Sequence, residues 1–454
     1  MYDLAIIGGG PAGYVAAERA GEAGLSVILF EEKELGGVCL NEGCIPTKTL
    51  LYSAKIYDYA RGGEHYGISA EAVSMDLRKV MKRKEKVVRK LVGGVKLKMK
   101  NAGAEVVKAT AVIRGRNEDG SFSVGYTAGD GTSAAADAKN ILVCTGSETA
   151  VPPIPGLRES SRVLTSREIL QIEEIPPEIV ILGGGVIGME FASFFSSSGS
   201  KVTVIDMLPE ILGPMDHELS ALLRAQFQKK GVTFHLGSKV VGIKDDTVEF
   251  ETAEGESGSV RGDVILLSTG RRARTRGIGL ESIGIEPGRG IATDSHMRTS
   301  VPGIYAAGDI TGFSMLAHTA SREAEVAVAD IIGKAEEMSY RAIPGVVYTN
   351  PEVAGTGLTE EAATEKGIPF TIKKLPMAYS GRFVAENERG EGLCKIIVGE
   401  GGSLLGVHLL GNYSSEIVTT AAMAIEKGMK VDDLLTIVFP HPSVSEIIKE
   451  TLHL

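Results

Sequence analysis

The sequence predicts an α/β protein with two related dinucleotide-binding domains and a smaller α+β domain at its C-terminal end. Three observations predict it. A short apolar strand, a glycine-rich turn and a helix open the chain; the same pattern returns near residue 180; and from about Arg341 the composition shifts to strands and turns. At 454 residues the chain is long enough for two to four domains. Its 43% hydrophobic content and 57 glycines fit an α/β protein rich in tight turns. The net charge of −10 argues against a nucleic-acid binder. No apolar run is long enough to span a membrane, and with the first strand beginning almost at Met1 no signal or transit sequence is expected. Four cysteines fit a reducing compartment, where a disulfide is more often catalytic than structural. A cytoplasmic location is expected.

The first unit runs from the strand Leu4-Ala5-Ile6-Ile7 through Gly8-Gly9-Gly10-Pro11-Ala12-Gly13 and a helix to the strand Val27-Ile28-Leu29-Phe30, ending at Glu31. Gly8, Gly10 and Gly13 form a GxGxxG pattern. Such glycines permit a tight turn, close approach of a pyrophosphate and close helix packing. The helix N-terminus then faces the phosphates. A carboxylate at the end of the second strand, here Glu31, can bind both ribose hydroxyls. A glycine-rich turn without ligand is the bland alternative, and the strand–helix–strand–acid context favours a dinucleotide.

Next comes Gly36-Gly37-Val38-Cys39-Leu40-Asn41-Glu42-Gly43-Cys44-Ile45-Pro46-Thr47-Lys48. Pro46 and the apolar run after it place Cys44 at or just before a helix start. The positive end of the helix dipole favours a thiolate there. Five residues of ideal helix rise about 7.5 Å, so Cys39 and Cys44 can bridge only if the backbone between them is distorted, which Asn41 and Gly43 permit. A redox pair, two buried thiols and half a zinc site are the candidate readings. No histidine lies near these two, so zinc lacks ligands.

The second unit repeats the first. Val180-Ile181-Leu182 leads into Gly183, Gly185 and Gly188, and Val202-Thr203-Val204-Ile205 ends at Asp206. Gly8 to Glu31 and Gly183 to Asp206 are both 23 residues. Each unit then carries a hairpin-like stretch, at 121–132 and 247–259, and an apolar strand reaching Thr-Gly, at Thr145-Gly146 and Thr269-Gly270. The chain therefore holds two Rossmann-like domains. Asp206 repels a 2′-phosphate and accepts from a free 2′-hydroxyl, so NAD is favoured over NADP. Glu190 reads as a first-turn acid favoured by the helix dipole.

The basic stretch 79–100 reads as a helix with Val80, Val87, Val88, Leu91 and Val95 on its apolar face. Its charges are better explained as a solvated face than as a docking site for an acidic partner. Pro152, Pro153 and Pro155 mark the crossing into the second domain. Ile304-Tyr305-Ala306-Ala307-Gly308-Asp309 is a short strand ending in Gly-Asp, or an ordinary turn. A helix is expected at 415–427, and Ser443-Val444-Ser445-Glu446 has the form of a capping box, which accounts for Glu446 but not for His441.

The cysteine stretch closely resembles the active-site motif of the flavin-dependent pyridine nucleotide-disulfide oxidoreductases, and most resembles the branch that oxidises dihydrolipoyl groups. Val38 stands where that family usually has Thr, and Thr47 where it often has Ser. The resemblance covers essentially the whole chain. It implies a Cys39–Cys44 redox disulfide, FAD on the first repeat and NAD on the second. It implies Lys48 near the flavin, paired with Glu190 by the nicotinamide, and Asp309 with Gly308 on the ribityl chain. It implies that the N–H of Ala317 meets the flavin pyrimidine, while His318 itself reads as structural. It implies that the strand-end turns Thr145-Gly146-Ser147 and Gly270 border the cofactors. It implies a homodimer in which His441 is the acid/base, oriented by Glu446, at the cysteine pair of the other subunit. The division implied is 1–150 for FAD, 151–270 for NAD, 271–340 completing the FAD site, and 341–454 for dimerisation. The reaction implied is oxidation of dihydrolipoyl groups by NAD. The partners implied are lipoyl domains of acyltransferase components or the glycine cleavage carrier protein. Relatives acting on glutathione need basic residues for NADPH, those acting on mercury carry a C-terminal cysteine pair, and transhydrogenases lack the redox cysteines. This sequence fits none of the three.

Overall fold

The computed structural model describes residues 1–387 and 390–454. They form two compact units. The first comprises Met1–Thr49, Lys79–Ala150 and Gly270–Ser339, and the second Leu50–Arg78, Val151–Thr269 and Tyr340–Leu454. Residues 50–78 therefore group with the second unit rather than with the dinucleotide repeat they follow in sequence.

In the first unit, β1 (Tyr2–Ile7), α1 (Pro11–Glu22) and β2 (Val27–Glu31) make the opening βαβ. The short helix α2 (Gly37–Glu42) and the long helix α3 (Cys44–Arg61) follow, α3 continuing into the second unit, and then α4 (Leu77–Asn101), β3 (Glu105–Arg116), β4 (Phe122–Ala128) and β5 (Ser133–Val143). β1 lies between β2 and β5, parallel to both, and the strand Ile304–Ala306 pairs parallel with β5. These strands are buried on both faces, which is why they read as unbroken apolar runs rather than alternating ones. β3 and β5 are long enough to leave the parallel layer and pair antiparallel with β4. α1, with Ala16, Ala17 and Ala20 buried, packs against the helix Ala317–Ile331. α4 corrects the expected apolar face. Leu91 is 39% exposed, and Val92, Val95 and Met99 point inward. Lys84 is buried with them, and burial lowers its pKa.

The second unit repeats this plan. Its strands run Thr233–His235, Lys201–Ile205, Glu178–Leu182, Val264–Leu267 and Val163–Thr165 in spatial order, all parallel. A three-stranded antiparallel sheet, Lys239–Lys244, Thr247–Glu251 and Ser257–Arg261, matches β3–β5. The C-terminal part is a five-stranded antiparallel sheet with Leu404–Leu410 at its centre, covered by the helices Ser414–Glu426 and Glu446–Leu452. Among the described residues no helix is long and apolar enough to cross a membrane.

Lys395 ties the two parts of this unit together. It lies on the strand Leu393–Gly399 with its side chain 1% exposed. Its ammonium sits 2.9 Å from Asp216 Oδ2, 3.2 Å from Glu218 and 2.6 Å from Glu360. Asp216 uses its other oxygen to cap the helix His217–Lys229 through Glu218 N and Leu219 N. A buried charge stripped of its partner costs about 3–5 kcal/mol. Lys395→Met should therefore destabilise this unit by about that amount, because buried Asp216 loses its ion-pair partner. Urea unfolding, with the double variant Lys395→Met/Asp216→Asn recovering part of the loss, checks this.

Candidate active site

Both glycine turns show a division of labour between their three glycines. Gly8 and Gly183 have φ of +107° and +104°, the left-handed region that favours glycine. A Cβ there would meet Cys144 O at 2.3 Å or Ser268 O at 2.6 Å. A Cβ on Gly13 would stand 1.8 Å from Gly8 O, and one on Gly188 2.0 Å from Gly183 O. Protein packing thus explains the first and third glycines. It does not explain the middle one. The nearest heavy atom to a Cβ on Gly10 is 3.9 Å away, and nothing lies within 4 Å of one on Gly185. The open space over these two glycines, at a helix N-terminus, fits a phosphate group.

The acidic residues are held by the turns they face. Gly9 N–H donates to Glu31 Oε2 at 2.7 Å and Lys33 N–H to Oε1 at 2.8 Å. In the second repeat Gly184 N–H donates to Asp206 Oδ2 at 2.5 Å and Leu208 N–H to Oδ1 at 2.8 Å. A carboxylate has about four acceptor sites. Each pair of oxygens is therefore fixed in direction and keeps capacity for ribose hydroxyls.

The cysteine helices are docked on the first of these turns. Gly36 N–H donates to Gly9 O at 2.8 Å, and a Cβ on Gly37 would lie 2.7 Å from Gly10 Cα. The break between Cys39 and Cys44 is at Gly43, with φ −147° and ψ −109°, so α2 ends and α3 begins at Cys44 itself. Asn41 braces the bend by donating to Leu35 O at 3.1 Å and Gly37 O at 3.0 Å. Both cysteines are free thiols here. A hydrogen bond with Cys44, and then burial, push the Cys39 thiol far above its ordinary pKa, while nearby Lys48 opposes them. Asp309 also acts on Cys39. The other two cysteines are buried, Cys144 just past β5 and Cys394 in a central strand. Burial pushes the Cys394 thiol up to about 12.

Around this centre the first unit gathers further residues. Ser147 Oγ donates to Asp309 Oδ2, and Arg271 donates to Ser147 Oγ at 2.7 Å and to its carbonyl at 2.8 Å. Gly308 has φ +84°, and its N–H donates to the fully buried Glu323 at 2.6 Å. Thr145 Oγ1 donates to Arg274 O, and Gly146 and Gly270 take positive φ. Ala317 is the first residue of its helix, where an N–H has no partner within the helix. Sequence reasoning missed Tyr14, Arg271 and Glu323. Tyr14 has a signal, since it directly follows the third glycine. Burial, then the charges of Cys39 and Cys44, raise its pKa.

In the second unit Glu190 is the fifth residue of the helix Val186–Ser197, not in its first turn, and is 3% exposed. It accepts from Tyr348 N–H at 3.1 Å, so the helix dipole is not what holds it. At the C-terminal end, His441 Nδ1 lies 2.9 Å from Glu446 Oε1, and Ser443 N–H donates to Oε2 at 2.7 Å. The carboxylate half of the capping box is thus present, while Ser443 Oγ pairs with Ser445 Oγ instead. The Ser443 N–H, then His441, lower the pKa of Glu446. An ionised carboxylate only accepts, so Nδ1 is the donor to Glu446, which in the neutral ring leaves the lone pair on Nε2. The His441 side chain is 78% exposed. Among the described residues no group of three or more metal-ligating side chains could hold a metal ion.

A double dinucleotide fold with a cysteine pair seated on the first phosphate turn defines a flavin-dependent disulfide oxidoreductase. The family models agree. Residues 2–324 match the pyridine nucleotide-disulphide oxidoreductase model and residues 343–452 its dimerisation domain, and the chain belongs to this family. It uses FAD and NAD. It is 39% identical to a dihydrolipoyl dehydrogenase of Chlorobaculum tepidum, covering 99% of this chain and 96% of that one. It is 38% identical to that of Bacillus subtilis, covering 99% and 95%. Among solved structures it is similar to LpdA of Mycobacterium tuberculosis, with a TM-score of 0.90, 25% identity and 99% of both chains covered. It is also similar to the HOCl-induced flavoprotein disulfide reductase RclA of Escherichia coli, with a TM-score of 0.87, 28% identity and 100% of both chains covered.

The glycine geometry separates folding from binding. Gly10→Ala should fold with an unchanged apoprotein melting temperature but purify with less FAD. Gly13→Ala, whose methyl meets backbone, should lose stability by about 1–3 kcal/mol or more. The flavin-to-protein absorbance ratio and apoprotein thermal unfolding distinguish the two.

Proposed function

We propose that this protein oxidises protein-bound dihydrolipoyl groups with NAD⁺, through FAD and a Cys39–Cys44 disulfide. The observation that carries this reading is the docking of the cysteine helices on the first glycine turn, through Gly36 N–H on Gly9 O and the Gly37–Gly10 approach. Full-length similarity to dihydrolipoyl dehydrogenases supports the substrate class.

His441 Nε2 takes a proton from one thiol of the substrate. The resulting thiolate attacks the sulfur of Cys39, breaking the disulfide and leaving Cys44 as a thiolate. The second substrate thiol, losing its proton, then displaces Cys39. The products are a lipoyl disulfide and an enzyme dithiol, so two electrons have entered the protein. FAD, when bound, supplies the relay that passes those electrons on to NAD⁺. Thiolate is the reacting form at each exchange, which is why a base beside the pair matters. Glu446 fixes the His441 ring and stabilises its charged form, as an orienting carboxylate does in a triad. On this reading Lys48, Asp309 and Ala317 would hold the flavin, Glu190 would serve the nicotinamide, and Thr145, Gly146, Ser147 and Gly270 would border the cofactors.

The protein acts as a homodimer. Residues 343–452 match the dimerisation domain, and exposed Tyr52, Ile56 and Tyr59 line one face of α3. Its partners are lipoyl domains of acyltransferase components of 2-oxo acid dehydrogenase complexes, or the carrier protein of glycine cleavage. Its place is the cytoplasm.

His441→Ala should lose on the order of 10²–10⁴ in dihydrolipoamide turnover, while NADH-driven dye reduction largely survives. If His441 serves the cysteines of the other subunit, equal mixing of His441→Ala and Cys44→Ser chains should recover about a quarter of wild-type activity. Full subunit exchange with no recovery would sink the shared site.

Asp206→Arg removes a ribose acceptor and supplies a phosphate partner. kcat/KM should fall for NADH and rise for NADPH. A wild-type preference for NADPH contradicts the role given to Asp206.

A further inference from the structure

The two repeats differ at the residue after the ribose-facing acid. In the first unit the carboxyl ends of β2, β1 and β5 lie side by side, with β1 in the middle. Neighbouring strands are about 4.8 Å apart, so the outer two ends are roughly 10 Å apart. A dinucleotide binds in the crevice outside such ends. Arg274 crosses that crevice. Its main chain is fastened on the β5 side, where its N–H donates to Gly146 O at 2.9 Å and its carbonyl accepts from Thr145 Oγ1 at 2.9 Å. Its guanidinium reaches the β2 side and grips both oxygens of Glu32, one of them at 2.9 Å. Glu32 directly follows Glu31. The pair is half-sheltered, with the two side chains 41% and 27% exposed.

In the second repeat Asp206 holds the place of Glu31, so Met207 holds that of Glu32. Met207 is 67% exposed, and its thioether cannot form an ion pair. The same crevice therefore has no such tie at this position.

We propose that the Glu32–Arg274 pair is a strap across the first dinucleotide site that retains FAD, and that Met207 leaves the second site open to a nucleotide exchanged at every turnover. The proposal rests on the assignment of FAD to the first repeat. Fork-to-fork Arg–carboxylate pairing is among the stronger side-chain contacts. A resident cofactor gains from a slow exit, whereas a co-substrate must leave in each cycle. The strap needs no contact with FAD; it needs only to open before FAD can go.

The test uses holoenzyme of the wild type, Glu32→Gln, Arg274→Met and the charge exchange Glu32→Arg/Arg274→Glu. FAD release is followed by the rise in flavin fluorescence on large dilution. Each single variant should release FAD about tenfold faster, the loss of one strong pair, and the double variant Glu32→Gln/Arg274→Met should be no faster than either. The charge exchange should recover part of the retention. Added salt should speed release from the wild type more than from the variants, since it screens the pair. NADH affinity and apoprotein melting temperature should not change. Release rates within twofold of wild type would overturn the strap. So would an apoprotein destabilised as much as the holoprotein, which would make the pair a brace of the fold. Wild-type protein that purifies without flavin would instead overturn the assignment beneath it.

Discussion

The backbone contact inside each glycine turn is the constraint on which the rest depends. The third glycine of each turn lies so close to the carbonyl of the first that no side chain fits between them. That closeness pins the helix N-terminus against the ends of the parallel strands. It leaves the middle glycine open, aims the helix dipole into the opening, and brings the second-strand carboxylate within hydrogen-bond reach of the turn. In the first repeat it also provides Gly9 O and Gly10 as the seat for the cysteine helices. Redox chemistry is thereby placed beside a phosphate turn by backbone packing alone. The second repeat uses the same seat for a different purpose, since Leu212 N–H donates to Gly184 O at 2.9 Å and the chain then runs on to a plain helix, His217–Lys229.

Charge does the finer positioning. Carboxylates recur as organisers whose two oxygens serve two tasks. Glu446 holds a loop N–H with one oxygen and the His441 ring with the other. Asp216 caps a helix with one oxygen and meets Lys395 with the other. In each case the backbone bond fixes the carboxylate, and the fixed carboxylate then fixes a cation or an imidazole. Such groups are costly to bury singly and tolerable when every lone pair is used. The Cys39 thiol shows the opposite case. Its neighbour Cys44, through a hydrogen bond, and then burial both disfavour its charge.

Local readings failed where the deciding contact was remote in sequence. Helix periodicity put Leu91 on the buried face of α4, but the surface it packs against turns that face by one residue and draws in Val92 and even Lys84. Glu190 sits near a helix start by number, yet its carboxylate is buried and held by Tyr348, 158 residues away. The capping box predicted at Ser443 is half formed, because His441 and Ser445 compete for its members.

The sequence by itself determined the two dinucleotide repeats, the acids that end their second strands, the cysteine pair and the bend between its members. All of these are set by contacts within about thirty residues, where glycine, proline and apolar runs act directly on the backbone. Only the tertiary structure decided that Arg271, Ser147 and Asp309 form one chain of hydrogen bonds, that Lys395 is buried among carboxylates, and that Arg274 reaches Glu32 across the first site. A charged side chain reads the same in sequence whether it ends in water or in a pair. Its partner is chosen by which strand ends the sheet brings side by side, and that is a property of the whole fold.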